Sequence, residues 1–363
     1  MKKLNGKILS LIMCIVIPVT SVMGCGVSDT VYSNPDPTII SSDTVNSSVA
    51  TDLTEATTEA ITPWFTFETK VCSSFHEGVY GKKMCDAWYS LVDAVLAGED
   101  TFSCPDGHTY VWVMRDFPEI LFPVMKDLID TPESYDLSTI NGTAKIKYLV
   151  SKEEAAQKIA EFEKLVEDII NSVIRPEYTE FEKALALYSY FTHTYIYDYD
   201  AARAVDNNEV VTYTSSYRLL TTKTGICSEI SQAYSYLLLQ VGVDASTVSG
   251  QHHEWSIINL GGKYYHIDPT FGIQSWDSMT YFMMTDEQRA DEGGYLKKNF
   301  QYVGEYHPEV LPDYSANDDS FKSLYGYFYE SFDHATSKVT CWKYKDDTLE
   351  EKDYIVFDYS AFP

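Results

Sequence analysis

Three residues in the second half of this 363-residue chain have the types and the order that covalent acyl transfer requires: Cys227, His253 and Asp268. A thiolate attacks an amide or ester carbonyl, a histidine takes or shares the thiol proton, and a carboxylate fixes the tautomer of that histidine. The thioester that forms is resolved by water, giving hydrolysis, or by an amine, giving transamidation. Around Cys227 the sequence reads TTKTGICSEISQAYSYLLL over 221–239, and Ile230, Ala233, Tyr234, Leu237, Leu238 and Val241 recur at helical spacing. The spacing predicts a buried helix with Cys227 in its first turn and Thr224 and Gly225 at its cap. A helix N-terminus concentrates amide N–H groups and positive potential, which favours the thiolate and supplies oxyanion donors.

His253 and Asp268 lie in QHHEWSIINLGGKYYHIDPTFG, residues 251–272, where two runs of β-type residues flank Gly261 and Gly262. That pattern predicts a hairpin. With the glycines as a two-residue turn, paired positions sum to 523, so His253 faces Thr270 and Trp255 faces Asp268. His253 and Asp268 then become diagonal neighbours on one face, about 7 to 8 Å apart at the backbone and within side-chain reach. His252 points to the other face. His266 shares the face of Asp268 but pairs with Ile257, further from the strand end.

The motifs Gly225-Ile226-Cys227, His253-Glu254-Trp255 and Asp268-Pro269-Thr270, in this order, resemble those of the transglutaminase-like superfamily. The Tyr197-Asp198-Tyr199 and Tyr281-Phe282-Met283 strings are similar to bacterial members as well, and the resemblance covers residues 175–290. It implies a papain-like or transglutaminase-like α+β core, with helices packed on an antiparallel sheet and the nucleophile Cys227 at the N-terminus of a buried helix. His253 is the implied base and Asp268 its orienting carboxylate, with Ser228, Glu229 and Trp255 in the substrate or oxyanion neighbourhood. The implied substrate is a peptide or protein, with no cofactor. One departure concerns the residues after the cysteine, where many relatives carry an aromatic and this chain has Ser228-Glu229-Ile230. Glu229 turned inward would oppose thiolate formation; exposure at the helix start, where a carboxylate is favoured, is the preferred expectation.

Other chemistries fit less well. His252, His253, His266 and Cys227 do not form a zinc set, since adjacent strand histidines face opposite ways and no C-x-x-C accompanies them. The competing class is a surface binding or scaffolding module that keeps the fold without turnover. The presence of all three catalytic residue types favours an enzyme, because a scaffold needs none of them.

The remaining sequence gives an address and a frame. Lys2, Lys3 and Lys7 precede an apolar run over 8–19 that is too short to span a bilayer, and Val22-Met23-Gly24-Cys25 resembles a bacterial lipobox. The expectation is a lipoprotein signal over 1–24, lipidation of Cys25 and extracytoplasmic attachment to the cell membrane through that lipid alone. Removing the three lysines takes the net charge from −27 to −30, which excludes nucleic acid as a direct partner. Residues 26–69 contain no Lys or Arg and are rich in Ser, Thr and acidic residues, so 25–64 reads as a flexible tether. An N-terminal α/β region over 65–174, a catalytic core over 175–310 and a β-rich extension over 311–363 follow. Helices are expected over 85–96, 118–128, 151–174 and 179–194, strands over 145–149, 281–284, 324–332, 338–343 and 354–359. Cys72, Cys85, Cys104 and Cys341 make up to two disulfides or stay as buried thiols.

Overall fold

The structure, a computed structural model, describes residues 63–115, 117–130, 140–207, 214–250, 253–291 and 313–363. The signal segment, Cys25, nearly all of the tether, and His252 lie outside these residues. No helix among the described residues is long and apolar enough to cross a membrane.

An arm from Trp64 buries Phe65 and Val71, and its amides bond the Asn171 and Glu167 side chains. Helices α1 (Ser74–Tyr80) and α2 (Lys82–Leu96) follow, and α2 buries Trp88, Leu91, Val92 and Val95 along one stripe. Strand β1 (Thr101–Asp106) pairs antiparallel with β2 (Asn141–Lys145), and α3 (Gly107–Arg115) and α4 (Phe117–Leu121) lie between them in sequence. The single helix expected over 118–128 is broken after Leu121, and a 3-10 turn, Pro123–Asp127, continues the chain. Proline at 123 has no amide to donate and its ring crowds the preceding turn. The strand expected over 145–149 sits earlier: β2 ends at Lys145, opposite the first residue of β1, and Tyr148 makes only an isolated bridge to Ile129.

Helix α5 (Lys152–Val173) is capped by the Ser151 hydroxyl, which accepts from Glu154 N–H at 3.1 Å. Its stripe Ala155, Ile159, Phe162, Val166, Ile169 and Ile170 is buried. A reciprocal capping box between Thr179 and Glu182 starts α6 (Glu180–Thr194). Next come β3 (Ile196–Tyr197), α7 (Tyr199–Asp206), α8 (Ser216–Thr222) and β4 (Thr224–Gly225), the last parallel to β3. Helix α9 (Cys227–Gln240) leads into the antiparallel sheet β5 (Asp244–Gly250), β6 (His253–Leu260) and β7 (Lys263–Ile267). Helices α6 and α8 and strands β5 and β6 all pack on α9. It therefore buries residues around most of its circumference, as a central helix must. Polar members of α9 are satisfied internally: Ser235 Oγ donates to Ser246 O and meets Ser256 Oγ, and Tyr234 Oη donates to Ala184 O.

After β7 come α10 (Pro269–Gln274) and α11 (Asp286–Asp291). The strand expected over 281–284 is not formed, since Met279–Tyr281 is a 3-10 turn and only Met284 bridges His266. Met283 has φ 58, a left-handed conformation that turns the chain out of any strand path. Strands β8 (Phe328–Asp333), β9 (Lys338–Tyr344) and β10 (Lys352–Asp358) form a sheet of their own in the order β10-β9-β8. The chain after it docks on the start of α6, where Tyr359 Oη donates to the buried Glu182 at 2.6 Å and His334 meets the same carboxylate at 2.9 Å. The fold is mixed helix and sheet. Cys72, Cys85, Cys104 and Cys341 are free thiols, with the Cys72 and Cys85 sulfurs 2.8 Å apart.

Close packing of α10 on α6 depends on Gly272, where a Cβ would lie 2.6 Å from Tyr188 Oη and 2.9 Å from Thr192 Cγ2. Gly272→Ala is expected to cost about 1 to 3 kcal/mol in urea denaturation, the usual range for overpacking. A neutral effect would contradict this contact.

Candidate functional site

Cys227 is the first residue of α9 and is fully buried. The cap differs from expectation: Thr224 and Gly225 form β4, and Ile226 is the N-cap residue. Because Ile226 has no polar side chain, the capping comes from Glu229, whose Oε2 accepts from Ile226 N–H at 2.9 Å. Glu229 is also where the preferred expectation of exposure is overturned, for it is only 1% exposed. Its carboxylate accepts from Arg218 Nε at 2.8 Å, Arg218 Nη2 at 2.6 Å and Ser215 N–H at 2.8 Å. A guanidinium fork and two amides thus compensate the negative charge at the start of α9. Gly225 makes room for it, since a Cβ there would meet Glu229 Oε2 at 2.9 Å and Leu219 Cδ1 at 2.8 Å. Arg218 reaches Asp198 as well, at 3.1 Å, and Asp198 caps α7 through Ala201 N–H.

Along the hairpin, Leu260 pairs with Lys263 and Ser256 with Ile267, each sum being 523. The ladder then stops, so Thr270 lies in α10 and does not face His253 from a strand. Pro269 explains the stop, since proline cannot donate to a ladder but suits the first turn of a helix. Asp268 becomes the cap of α10, accepting from Phe271 N–H at 3.0 Å with Oδ1. Its Oδ2 meets His253 Nε2 at 2.7 Å. Asp268 is fully buried, which by itself pushes the carboxyl up, but the His253 ring, the Arg289 guanidinium and the Phe271 amide outweigh that and hold it below the ordinary value.

The His253 ring lies 4.7 Å from the Phe271 ring at 9° and 5.9 Å from the Trp255 ring at 18°, so the imidazole is nearly parallel to both. Trp255 is 1% exposed and donates through Nε1 to His266 Nδ1 at 3.0 Å, which makes it a wall of the site with its polar atom turned away from solvent. His266 in turn meets Asp286 at 3.0 Å, and burial pushes its imidazolium form down in pH. Ser228 is half-buried at the helix start, and its carbonyl accepts from Ser231 Oγ. Glu254 turns from the ring toward α9, accepting from Ser231 Oγ at 3.1 Å and Gln232 Nε2 at 3.2 Å. Burial, with Glu119 beyond Gln232, pushes its carboxyl up to about 8.

Two site residues escaped the sequence reading. Arg218 and Arg289 carry no motif, and Arg289 is 21 positions from the carboxylate it approaches, so no spacing rule links them. Arg289 is 3% exposed, with Nη2 3.5 Å from Asp268 Oδ2. Among the described residues, no group of three His, Cys, Asp or Glu side chains is placed to hold a metal ion.

Residues 167–286 match the family model described as Transglutaminase-like superfamily. The match runs from late in α5 to the start of α11 and contains Cys227, His253 and Asp268. A crystal structure of a TGase is similar at 16% identity and a TM-score of 0.28, over 50% of this chain and 53% of that one. The chain thus spans about half the length of that protein. No curated protein matches the chain.

Removing Glu229 leaves Arg218 paired with Asp198 alone, and Glu229→Ala is expected to cost about 3 kcal/mol or more in urea denaturation. Glu254 supplies a pH test. An unfolded glutamate loses its proton near 4.5, whereas the folded one keeps it to about 8, so the folded state binds more protons across that window. Its contribution to stability therefore falls as pH rises from about 4.5 to about 8. Glu254→Gln should gain on the wild type as pH is raised through this window, and parallel stability curves would refute the assignment.

Proposed function

We propose that this protein is a cysteine acyl-transfer enzyme of transglutaminase-like type, with Cys227 as nucleophile, His253 as base and Asp268 orienting the base. The observation that carries the reading is the buried 2.7 Å bond between His253 Nε2 and Asp268, held beside the central helix that begins with Cys227. The superfamily match over the segment that contains all three supports it, and such a set is read by role on a papain-like core.

Cys227 gives its proton to the imidazole and its sulfur attacks the carbonyl carbon of a peptide or protein amide. The carbonyl oxygen becomes an oxyanion at the N-terminus of α9. Collapse breaks the C–N bond, the imidazolium protonates the leaving amine, and an acyl thioester remains. His253 then deprotonates water, which attacks the thioester, and the thiol regains a proton as the acid departs. Asp268 holds the imidazolium formed in both halves. Hydrolysis is favoured over transamidation, because water at bulk concentration outcompetes an amine unless the pocket excludes it. The lipobox at Val22-Met23-Gly24-Cys25 supports attachment to the bacterial cell surface through a lipid on Cys25.

With reduced protein, alkylation of Cys227 by iodoacetamide should be fast with a bell-shaped pH profile, and His253→Ala should abolish the bell. A slow, ordinary thiol unchanged by His253→Ala would favour a non-catalytic binding module. Asp268→Asn should lower kcat/KM on a peptide amide by at least about 100-fold. Incorporation of a labelled amine into a glutamine peptide in place of acid release would overturn the preference for hydrolysis. Labelling with a radioactive fatty acid should be lost in Cys25→Ser.

A further inference from the structure

Arg289 sits at a place where a cation is expensive to keep. It is 3% exposed, on a short helix that follows the catalytic hairpin. Its guanidinium carbon lies 4.2 Å from the centre of the Trp255 ring and 5.3 Å from that of Phe271, the two rings that also flank His253. Its Nη2 is 3.5 Å from the same Asp268 oxygen that His253 bonds. Such a group must be compensated by charge and by π-faces, and both are supplied here.

We infer that Arg289 is a positioning residue that holds Asp268 toward His253 and places a buried positive charge beside that pair, and so sets the pH range over which Cys227 reacts. This rests on the reading of Cys227 and His253 as nucleophile and base. Among the described residues, the charged and titratable groups around it include Asp268 at the cap of α10, His253 on β6, His266 on β7 and Asp286 on its own helix. Tyr188 of α6 and Tyr197 of β3 face Asp268 from the other side. His266 and Asp286 meet at 3.0 Å, and the guanidinium, besides its effect on His266, lies directly against the His253–Asp268 pair.

The sign follows from the field. A buried positive charge favours the thiolate over the thiol and the neutral imidazole over the imidazolium. Removing it makes both groups hold their protons to higher pH, so both limbs of the alkylation profile move upward.

The test is the rate of iodoacetamide alkylation against pH in the reduced full chain, read by mass spectrometry at the peptide containing Cys227. Arg289→Met and Arg289→Gln should move both limbs up by about 0.5 to 1 pH unit. Arg289→Lys keeps the charge without the planar fork and should leave the limbs within about 0.3 unit of wild type. A role confined to packing would lower stability in all three variants and shift neither limb. Unshifted limbs in Met or Gln, or limbs in Lys displaced as far as in Met, overturn the inference. If neither neutral variant folds, the Lys profile alone decides by the same criterion. A wild-type profile with no bell, unchanged in His253→Ala, instead overturns the reading of the triad.

Discussion

A carboxylate with no solvent contact must be compensated inside the protein, and the compensation of Asp268 organises the whole site. Removing such an ion from water costs several kcal/mol unless charge and hydrogen bonds replace the lost hydration. At Asp268 the replacements come from three elements: the imidazole of β6, the guanidinium of α11 and the first-turn amide of α10. The strand-to-helix turn at Pro269, the hairpin register and the approach of α11 are therefore bound to one charge. Misplacement of any of them would leave that charge uncompensated.

The same device recurs in the first turn of α9 and at the C-terminal sheet. Glu229, buried against Arg218 and two amides, ties α8 and the start of α9 together, and Arg218 extends the tie to Asp198 at the head of α7. Glu182 receives Tyr359 and His334 and so joins α6 to the C-terminal chain. Buried ion pairs add little net stability but are strongly destabilising when halved. Here they act as joints between elements that apolar contacts alone would leave free to slide.

The layer of rings around His253 adds a second constraint. Phe271 and Trp255 lie nearly parallel to the imidazole, and the guanidinium of Arg289 lies over both. An imidazole stacked against neighbouring rings keeps one orientation without waiting for a ligand to impose it. Trp255, in the H-x-W string, packs in this layer and bonds His266 through Nε1.

Local rules carried the sequence reading a long way. Helical periodicity located α2, α5, α6 and α9, and hairpin parity put His253 rather than His252 with Asp268, because these depend on residues within one or two turns or across one tight loop. Proline at 123 and at 269 altered local outcomes that periodicity alone does not see. What only the tertiary structure decided is the environment of the charges. The exposed place expected for Glu229 rested on helix-end electrostatics, and it lost to an arginine from the preceding helix. Asp268 finds its imidazole from a helix cap, with a guanidinium 21 positions away beside it. Spacing rules say which residues share a face; which distant cation a buried carboxylate meets is fixed by how the elements close around it. The pairing of His253 with Asp268 was legible in the chain, and the arginines that hold the charges at Asp268 and Glu229 were not.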